Sequence, residues 1–277
     1  MIRIFSDTST LYSSAEARRA GFTVAPLSVS IRGKSYLELD ELSAEELIGM
    51  IDAEHLPVSS QPAAGQIAAL YQQYPQDEIL NITMAEGLSG TYASAAAAAS
   101  LCEGQQITVL NSRTLCGPHR YLVQNAVRMA DEGASLPEIV QHTEELMATA
   151  KSFLIPADFG YLRRGGRLSP LVSYVGQAVR FAPLLTQTPS GSRLSLAGVR
   201  RSFSLAVAAA IHSFLELGVN EGWRLYIAHA GAPRLAQQAH RLLGAAFAHT
   251  PIEVLPLSPA FVTHGGPGCV ALQAIRA

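Results

Sequence analysis

The sequence predicts an α/β fold divided into two domains. Through the first half of the chain, short β-type runs alternate with longer helical segments, an order typical of a mainly parallel sheet covered by helices. The second half differs, since strand-like runs at 184–188 and 193–199 flank a turn-forming segment, PSGS at 189–192, as in an antiparallel hairpin. We therefore expect an N-terminal α/β/α domain over residues 1–152 and a C-terminal α+β domain over residues 153–277.

The strand candidates are short apolar runs bounded by glycine, proline or polar residues. In chain order they lie at 2–6, 23–31, 79–84, 107–110, 153–157, 225–229, 252–257 and 269–275. In the first half, the segments between them include the helices that crossovers between parallel strands require.

Helices are predicted from capping patterns and from composition. Ser43 and Glu46 match a capping box that opens a helix through Ile51, and Ser135 and Glu138 match a second box with proline in the first turn. Helical composition marks four further segments, at 66–74, 92–101, 120–130 and 205–217.

Composition and charge argue against several classes of protein. Hydrophobic residues make up 48% of the 277 residues and charged residues 15%, which is typical of a folded chain with a substantial core. The formal net charge of −2 argues against nucleic acid as a partner, because nucleic-acid-binding domains carry a basic face. The chain opens on a strand-like run and contains no apolar run of ~18 residues, so we expect a cytoplasmic protein without a membrane span.

The three cysteines indicate neither a disulfide framework nor a metal. Cys102, Cys116 and Cys269 match no zinc motif, and we expect reduced, mostly buried thiols. His264 lies close to Cys269 in the sequence, but no further ligands follow at metal-binding spacing, so we expect no metal site.

Four segments combine glycine or proline with hydroxyl, imidazole or guanidinium groups. They are SSQP at 59–62, GLSGTY at 87–92, YLRRGGRLS at 161–169 and THGGPG at 263–268. Glycine lets backbone and short donors approach a small anionic group closely, and a helix N-terminus favours such an anion. Because no segment completes a catalytic motif, the set indicates a binding site for an acid.

Each segment also has a simpler structural interpretation. Ser59 and its neighbour precede a proline-led helix, where serine is commonly a cap, and Ser89 or Thr91 could cap the helix that follows them. The arginines of the third segment, Arg163, Arg164 and Arg167, either hold a carboxylate or phosphate or form a solvated basic turn. For His264, with three glycines and a proline fixing the backbone after it, we favour a ligand contact.

In this order and spacing, the four segments resemble the DegV family, whose members include the fatty-acid-binding subunits called FakB. The resemblance covers essentially the whole chain, from SDTS at 6–9 through VRR at 199–201 to the final histidine and glycines. The sequence departs from the family pattern at three places: Ala85 and Glu86 replace two serines, Ser59 replaces threonine, and Arg201 replaces threonine. Since Ser59 keeps a hydroxyl, the resemblance still implies carboxylate binding.

The resemblance implies a two-domain protein that holds one long-chain fatty acid between its domains. It places Ser59 and Ser89 as hydrogen-bond partners of the carboxylate, His264 beside them and Arg167 near the pocket mouth. In the FakB branch a separate fatty acid kinase phosphorylates the bound acid, so the carrier performs no catalysis and needs no cofactor or metal. An apolar tunnel would hold the tail.

Two other functions are consistent with parts of the sequence. A serine esterase or lipase would use Ser89 and His264, but the second glycine of Gly-x-Ser-x-Gly comes one residue early and no acidic third member is evident. A phosphate-binding enzyme or regulatory module would use the arginine and glycine turns, although neither Lys34 nor Lys151 follows a suitable glycine loop.

Overall fold

The computed structural model describes residues 1–169, 181–188 and 191–277 and shows an α/β protein with a two-domain fold. The strands of the described residues are β1 (Ile2–Asp7), β2 (Thr23–Ala25), β3 (Ser28–Ile31), β4 (Lys34–Leu37), β5 (Val58–Ser60), β6 (Glu78–Thr83), β7 (Ile107–Asn111), β8 (Lys151–Ile155), β9 (Ala182–Gln187), β10 (Leu194–Arg200), β11 (Trp223–His229), β12 (Ile252–Pro256) and β13 (Val270–Arg276). The α-helices in the same ranges are α1 (Ser14–Arg19), α2 (Ala44–Met50), α3 (Ala64–Tyr71), α4 (Thr91–Ser100), α5 (Cys116–Asp131), α6 (Leu136–Met147), α7 (Phe159–Arg164), α8 (Phe203–Glu216), α9 (Pro233–Ala246) and α10 (Pro259–Gly265).

The N-terminal domain is built on a parallel sheet between two helical layers. Its strand order is β2-β1-β6-β7, and every neighbouring pair is parallel. Ile4 and Leu80 pack against α1, α5 and α6, whereas Phe5 and Ile79 pack against α3 and α4. Because successive residues of a strand point to opposite faces, these apolar runs are buried on both sides, and the predicted α/β/α layering is confirmed.

The predicted strand at 23–31 is wrong in one respect, because it forms two strands. β2 belongs to the parallel sheet, whereas β3 lies in a separate antiparallel sheet of order β4-β3-β5. Pro26 stands between them, and proline cannot donate a hydrogen bond to a strand ladder. β4 and β5 were not predicted, because both are short and lack a continuous apolar run.

The C-terminal domain is built on a mixed sheet of order β10-β9-β8-β13-β11-β12. β11 and β12 are parallel, and the other neighbouring strands are antiparallel. β9 and β10 confirm the predicted hairpin strands, while residues 189 and 190 of its predicted turn lie outside the described residues. Helices α8 and α9 cover one face of this sheet, which agrees with the predicted α+β domain.

The opposite face of the mixed sheet packs against the N-terminal domain. One hydrophobic cluster joins Val29 and Ile31 of the small sheet, Leu122 of α5, and Tyr226 and Ala271 of the mixed sheet. This cluster lies beside the candidate site described below. β8 begins at Lys151, and the domain boundary between residues 152 and 153 stays a prediction.

Both predicted capping boxes are present in the structure. Ser43 opens α2 and Ser135 opens α6, each with its glutamate three residues later. The helices at 66–74, 92–101, 120–130 and 205–217 are observed with shifted ends, whereas α1, α7, α9 and α10 were not predicted. Among helices in the described ranges, none has the length and apolar character needed to cross a bilayer.

Candidate functional site

An apolar cavity lies where the mixed sheet meets loops and helices of the N-terminal domain. It contains about 740 Å³ of empty space, part of it open to solvent. Most of its walls are apolar side chains from both halves of the chain: Met84, Leu88, Leu115, Leu154, Leu162, Leu185, Leu194, Leu257, Phe261 and Ala271. The cavity therefore favours a ligand with a large apolar part.

Ser59 and His264 meet at one end of this space. Ser59 Oγ on β5 lies 2.6 Å from His264 Nε2 on α10, although 205 positions separate the two residues in sequence. The other ring nitrogen, Nδ1, lies 3.2 Å from the carbonyl oxygen of Gly165. A carbonyl only accepts hydrogen bonds, so we infer that Nδ1 carries the ring hydrogen and that the Ser59 hydroxyl donates to Nε2.

The surroundings of His264 keep its ring neutral near pH 7. The pKa of His264 is lowered from 6.5 to about 4, mainly by burial and also by the positive charge of Arg167, while the Gly165 carbonyl opposes both. A carboxylate placed beside the ring would reverse part of this effect, because a nearby negative charge favours the protonated imidazole.

We expect the ligand-free protein to lose stability as the pH falls from 6.5 towards 4. In this window the unfolded chain protonates His264 while the folded protein does not, so the unfolded state binds more protons and acid favours unfolding. The shift corresponds to a loss of about 3 kcal/mol in the free energy of unfolding once the pH lies below both pKa values. Urea unfolding at a series of pH values measures this loss.

The comparison of two variants isolates the contribution of His264. His264→Gln should flatten the pH dependence of the free energy of unfolding, while His212→Gln, on an exposed part of α8, controls for the loss of one imidazole. A His264→Gln profile parallel to that of the wild type would show that other groups cause the acid sensitivity.

Arg167 lies at the same end of the cavity. Its Nη1 donates to the carbonyl oxygen of Gly165 at 2.8 Å, and its Nε donates to that of Leu88 at 3.3 Å. Burial and the nearby charge of Arg193 lower the pKa of Arg167, but an arginine stays charged at neutral pH. Arg167 thus links the third sequence segment to the second and places a positive charge at the cavity mouth.

A second, more polar cavity adjoins the first. His264 and Arg167 line both spaces, and the second is also lined by Ser59, Arg164, Gly165, Tyr161, Thr263 and the segment 56–58. Leu56 and Val58 are exposed, so this second space lies near the surface. The apolar cavity and the polar cavity meet at the His264 ring.

Ser89 lies close to this junction but bonds locally. Its hydroxyl is 2.8 Å from that of Thr91 and accepts a weak hydrogen bond from the Thr91 N–H. The N-cap of α4 is Gly90, without a side-chain cap, so the predicted capping of α4 by Ser89 or Thr91 is wrong. Gln61 packs against Gly90, which brings the first two sequence segments together. Among the hydrogen bonds of the described residues, the serine that bonds to His264 is therefore Ser59.

Glycines let the third and fourth segments approach each other. A Cβ atom on Gly165 would lie 2.8 Å from the carbonyl oxygen of His264, and one on Gly266 would lie 2.8 Å from the Tyr161 ring. Gly266 also has a φ of 82°, a region that side chains other than that of glycine rarely adopt. The glycines noted in the sequence therefore allow the backbone contacts that place His264 beside Gly165.

Glu38 is a buried residue of the site region that the analysis of the sequence missed. Its Oε2 accepts a hydrogen bond of 2.7 Å from the N–H of Ala260 in the first turn of α10, and its Oε1 accepts one from the Thr8 hydroxyl. Burial raises the pKa of this carboxyl, while hydrogen bonds from Thr8, Ala260 and Ser258 oppose that rise. Glu38 thus fastens the helix that carries His264 to the N-terminal domain.

Ser6 and Asp7, from the opening segment of the resemblance, belong to a neighbouring buried network. Asp7 accepts hydrogen bonds from the N–H groups of Ser9 and Met84, and Met84 lines the apolar cavity. His119 lies 2.6 Å from the Ser9 hydroxyl and 3.2 Å from that of Ser6. This network holds strand ends under the cavity, and none of its hydrogen bonds among the described residues reaches His264, so its part is structural support.

The cysteines and the acidic groups give no indication of a metal centre. Cys102, Cys116 and Cys269 are free and buried, as expected from the sequence, and Cys116 and Cys269 line the apolar cavity. Within the ranges that the structure describes, no group of three or more histidine, cysteine or acidic side chains is arranged to hold an ion.

The fold and the site together define a two-domain α/β protein with an apolar cavity between its halves and a serine, a histidine and an arginine at the cavity mouth. A family model described as "uncharacterised protein, DegV family" matches residues 1–277. The chain belongs to the DegV family.

Known relatives match over nearly their whole length. A DegV domain-containing protein of Staphylococcus aureus is 26% identical over 276 residues, covering 99% of this chain and 98% of the relative. A DegV family protein from Thermus thermophilus, described as fatty-acid-binding, has a TM-score of 0.90 at 23% identity and covers 100% of this chain and 99% of its own. A stearic-acid-binding protein from Eubacterium ventriosum has a TM-score of 0.88 at 21% identity, with coverage of 100% and 98%. At these identities the two solved structures establish the shared fold.

Proposed function

We propose that this protein binds one long-chain fatty acid, with the tail in the apolar cavity and the carboxylate at its mouth, and presents the acid to a separate fatty acid kinase. The observation that carries the proposal is the apolar cavity that ends at Ser59, His264 and Arg167. Fatty-acid-binding members of the same family share the fold over their full length, which supports the proposal.

The cavity suits the two physical needs of a fatty acid. Burying a methylene group stabilises the complex by roughly 0.8 kcal/mol, so a sixteen-carbon tail contributes on the order of 11 kcal/mol before the cost of ordering the chain. The carboxylate, in contrast, is costly to bury unless several donors meet it. An apolar wall that ends at a polar mouth meets both requirements.

The residues at the mouth supply those donors. Ser59 turns its hydroxyl from His264 to the carboxylate, Arg167 contributes charge, and His264 donates from Nε2 once the nearby carboxylate has raised the pKa of the ring. Ser89 is the fourth member of the proposed set, since it lies beside Leu88, which lines the cavity and bonds to Arg167. The protein therefore acts as a binding protein without catalytic residues.

The polar second cavity fits presentation of the head group to a kinase. It runs from His264 towards the exposed segment 56–58, and Arg164 and Arg167 contribute positive charge to its walls. A phosphoryl donor that reaches the carboxylate through this space would meet both arginines, which suit phosphate oxygens. The tail would stay in the apolar cavity during such a transfer.

Native mass spectrometry of the purified protein tests the proposal. We expect a complex of one chain with one fatty acid, identified after denaturing extraction, or uptake of added hexadecanoic acid by delipidated protein. Preparations that contain no lipid and take up none would exclude the function.

We expect His264→Ala to weaken binding of hexadecanoic acid by about tenfold or more, because a hydrogen bond to a charged group contributes about 1.5–3 kcal/mol. Binding of hexadecanol should weaken less, since the alcohol carries no charge. Calorimetric titration of both ligands measures the difference. His240→Ala, on an exposed part of α9, is the control, and equal losses for acid and alcohol would mean that His264 shapes the pocket without recognising charge.

A hydrolase is the second candidate, because the Ser59–His264 hydrogen bond resembles the contact between a nucleophile and its base. The esterase or lipase that the sequence suggests would use Ser89 with His264, but in the structure the serine that bonds to His264 is Ser59. The Gly165 carbonyl occupies the position at Nδ1 where an acidic residue usually lies. Labelling of Ser59 by a fluorophosphonate together with turnover of an acyl ester would favour this candidate.

A further inference from the structure

The end of the apolar cavity away from His264 is polar. β9, β8 and β13 are neighbours in the mixed sheet, and Ser152 pairs with Gln273 in their register. Gln187 lies one position beyond the pair formed by Phe153 and Thr186, so the antiparallel register brings it next to Ser152. Gln187, Ser152 and Gln273 therefore form one row across three strands, and all three line the cavity.

The adjoining row is apolar and lies nearer to the mouth. Leu185, Leu154 and Ala271 are paired across the same strands two positions along, and strand side chains repeat on one face at this spacing. Cys269, two residues before Ala271, continues the same face towards Gly265. The cavity floor thus changes from apolar to polar within one step along the sheet, about 7 Å.

Hydrogen bonds fix this polar row in place. The Gln273 amide accepts from the N–H of Gly117 at 3.1 Å and donates to the Leu115 carbonyl at 3.0 Å and the Ser152 hydroxyl at 2.8 Å. Gln187 donates to the Arg113 carbonyl at 3.1 Å. Pushing Gln273 aside would break two buried hydrogen bonds, one of them to Ser152, so this part of the row resists an advancing tail.

A third cavity lies directly behind the row. Ser152, Thr186 and Gln187 line both spaces, so the barrier between them is one layer of residues thick. The third cavity contains about 890 Å³ of empty space and is lined by polar groups that include Arg113, Glu144 and Lys151. A tail that passed the row would enter polar surroundings and gain little from burial.

We propose that the row Gln187, Ser152 and Gln273 is the wall that sets the maximum length of the bound acyl chain. This inference rests on the proposed function and adds the residues that determine specificity. Affinity should rise about fourfold for each methylene added, until the tail reaches the wall, and then stop rising.

Two variants that change the wall in opposite directions test the inference. Gln187→Ala replaces a partly exposed amide side chain by a methyl group, which adds apolar space at the end of the cavity and should move the affinity maximum to longer acids. Ser152→Leu fills the end of the cavity and should move the maximum to shorter acids. The measurement is calorimetric titration of delipidated protein with saturated acids from dodecanoic to docosanoic acid. Gln141→Ala, on the exposed face of α6, is the control for the loss of a glutamine side chain.

The outcomes separate this inference from the proposed function. If the two variants shift the acid length of highest affinity in opposite directions and the control leaves it unchanged, the result supports the proposed wall. If the wild type binds fatty acids and Gln187→Ala keeps the wild-type length profile, the wall is wrong while the proposed function stands. A wild type that binds no acid of any length overturns both. Circular dichroism shows whether Ser152→Leu folds. If it does not fold, the length profile of Gln187→Ala alone tests whether the row limits the length of the acyl chain.

Discussion

Replacing Glu38 by alanine is expected to lower the free energy of unfolding by roughly 3 kcal/mol. The substitution leaves two buried donors, the Thr8 hydroxyl and the Ala260 N–H, without their acceptor, and each unpaired buried group costs about 1–3 kcal/mol. The effect should extend to ligand binding, because the first turn of α10 loses its attachment to the N-terminal domain. Urea unfolding at pH 7 gives the stability, and titration with hexadecanoic acid gives the affinity.

Two further substitutions define what Glu38 contributes. Glu38→Gln keeps the shape and one acceptor oxygen, so its loss of stability should be smaller than that of Glu38→Ala. Glu45→Ala removes an exposed carboxylate from α2 and should change the free energy of unfolding by less than about 0.5 kcal/mol. A Glu38→Ala protein as stable as Glu45→Ala would show that the buried hydrogen bonds have no net effect.

Replacing Gly117 by alanine is expected to destabilise the protein by about 3 kcal/mol or more. The new Cβ atom would lie 2.1 Å from Cγ of Tyr226, which is buried in the core between the domains. Neither side can move freely, because the Gly117 N–H bonds to Gln273 and Tyr226 belongs to a central strand. Overpacking of this kind forces backbone shifts at the start of α5. Thermal and urea unfolding measure the loss.

Gly244→Ala is the matched control for this prediction. Gly244 also lies within a helix, α9, but a Cβ atom there would meet nothing within 4 Å. Alanine favours helix over glycine by up to about 1 kcal/mol, so this variant should be as stable as the wild type or slightly more stable. Equal stability of the two variants would contradict the close approach of α5 to Tyr226.

Local patterns in the sequence predict much of the fold. The capping boxes at Ser43 and Ser135 gave correct helix starts because their hydrogen bonds are local. The short apolar runs of the parallel strands are equally local, and their order between helical segments predicted a mainly parallel sheet. The sheet to which a strand belongs depends on distant pairing, so the division of 23–31 between two sheets did not follow from composition.

At the candidate site, too, the sequence predicted which residues take part better than it predicted how they are arranged. The four segments with glycine or proline identified Ser59, Ser89, Arg167 and His264, and three of these line the two adjoining cavities. The sequence did not predict which serine bonds to His264. The esterase alternative paired His264 with Ser89, whereas in the structure His264 bonds to Ser59.

Glu38 and the polar wall had no signal in the sequence. Glu38 lies in the acidic stretch ELDE, which is typical of a solvated turn, but its buried carboxylate bonds to Thr8 and to Ala260 of α10, both far away in the sequence. The wall joins residues from three strands that lie far apart in the chain, so only the strand register places them in one row.

The apolar cavity takes its walls from both domains, and this has a consequence for how fast a ligand exchanges. A ligand in that space contacts Met84 and Leu88 on one side and Leu154 and Ala271 on the other, so it acts as an additional link between two bodies that also pack directly. We expect release to be faster when the domains move apart, so that residence time depends on how often they do so. A variant that weakens domain docking, such as Glu38→Ala, should therefore shorten residence time even though Glu38 does not line the cavity.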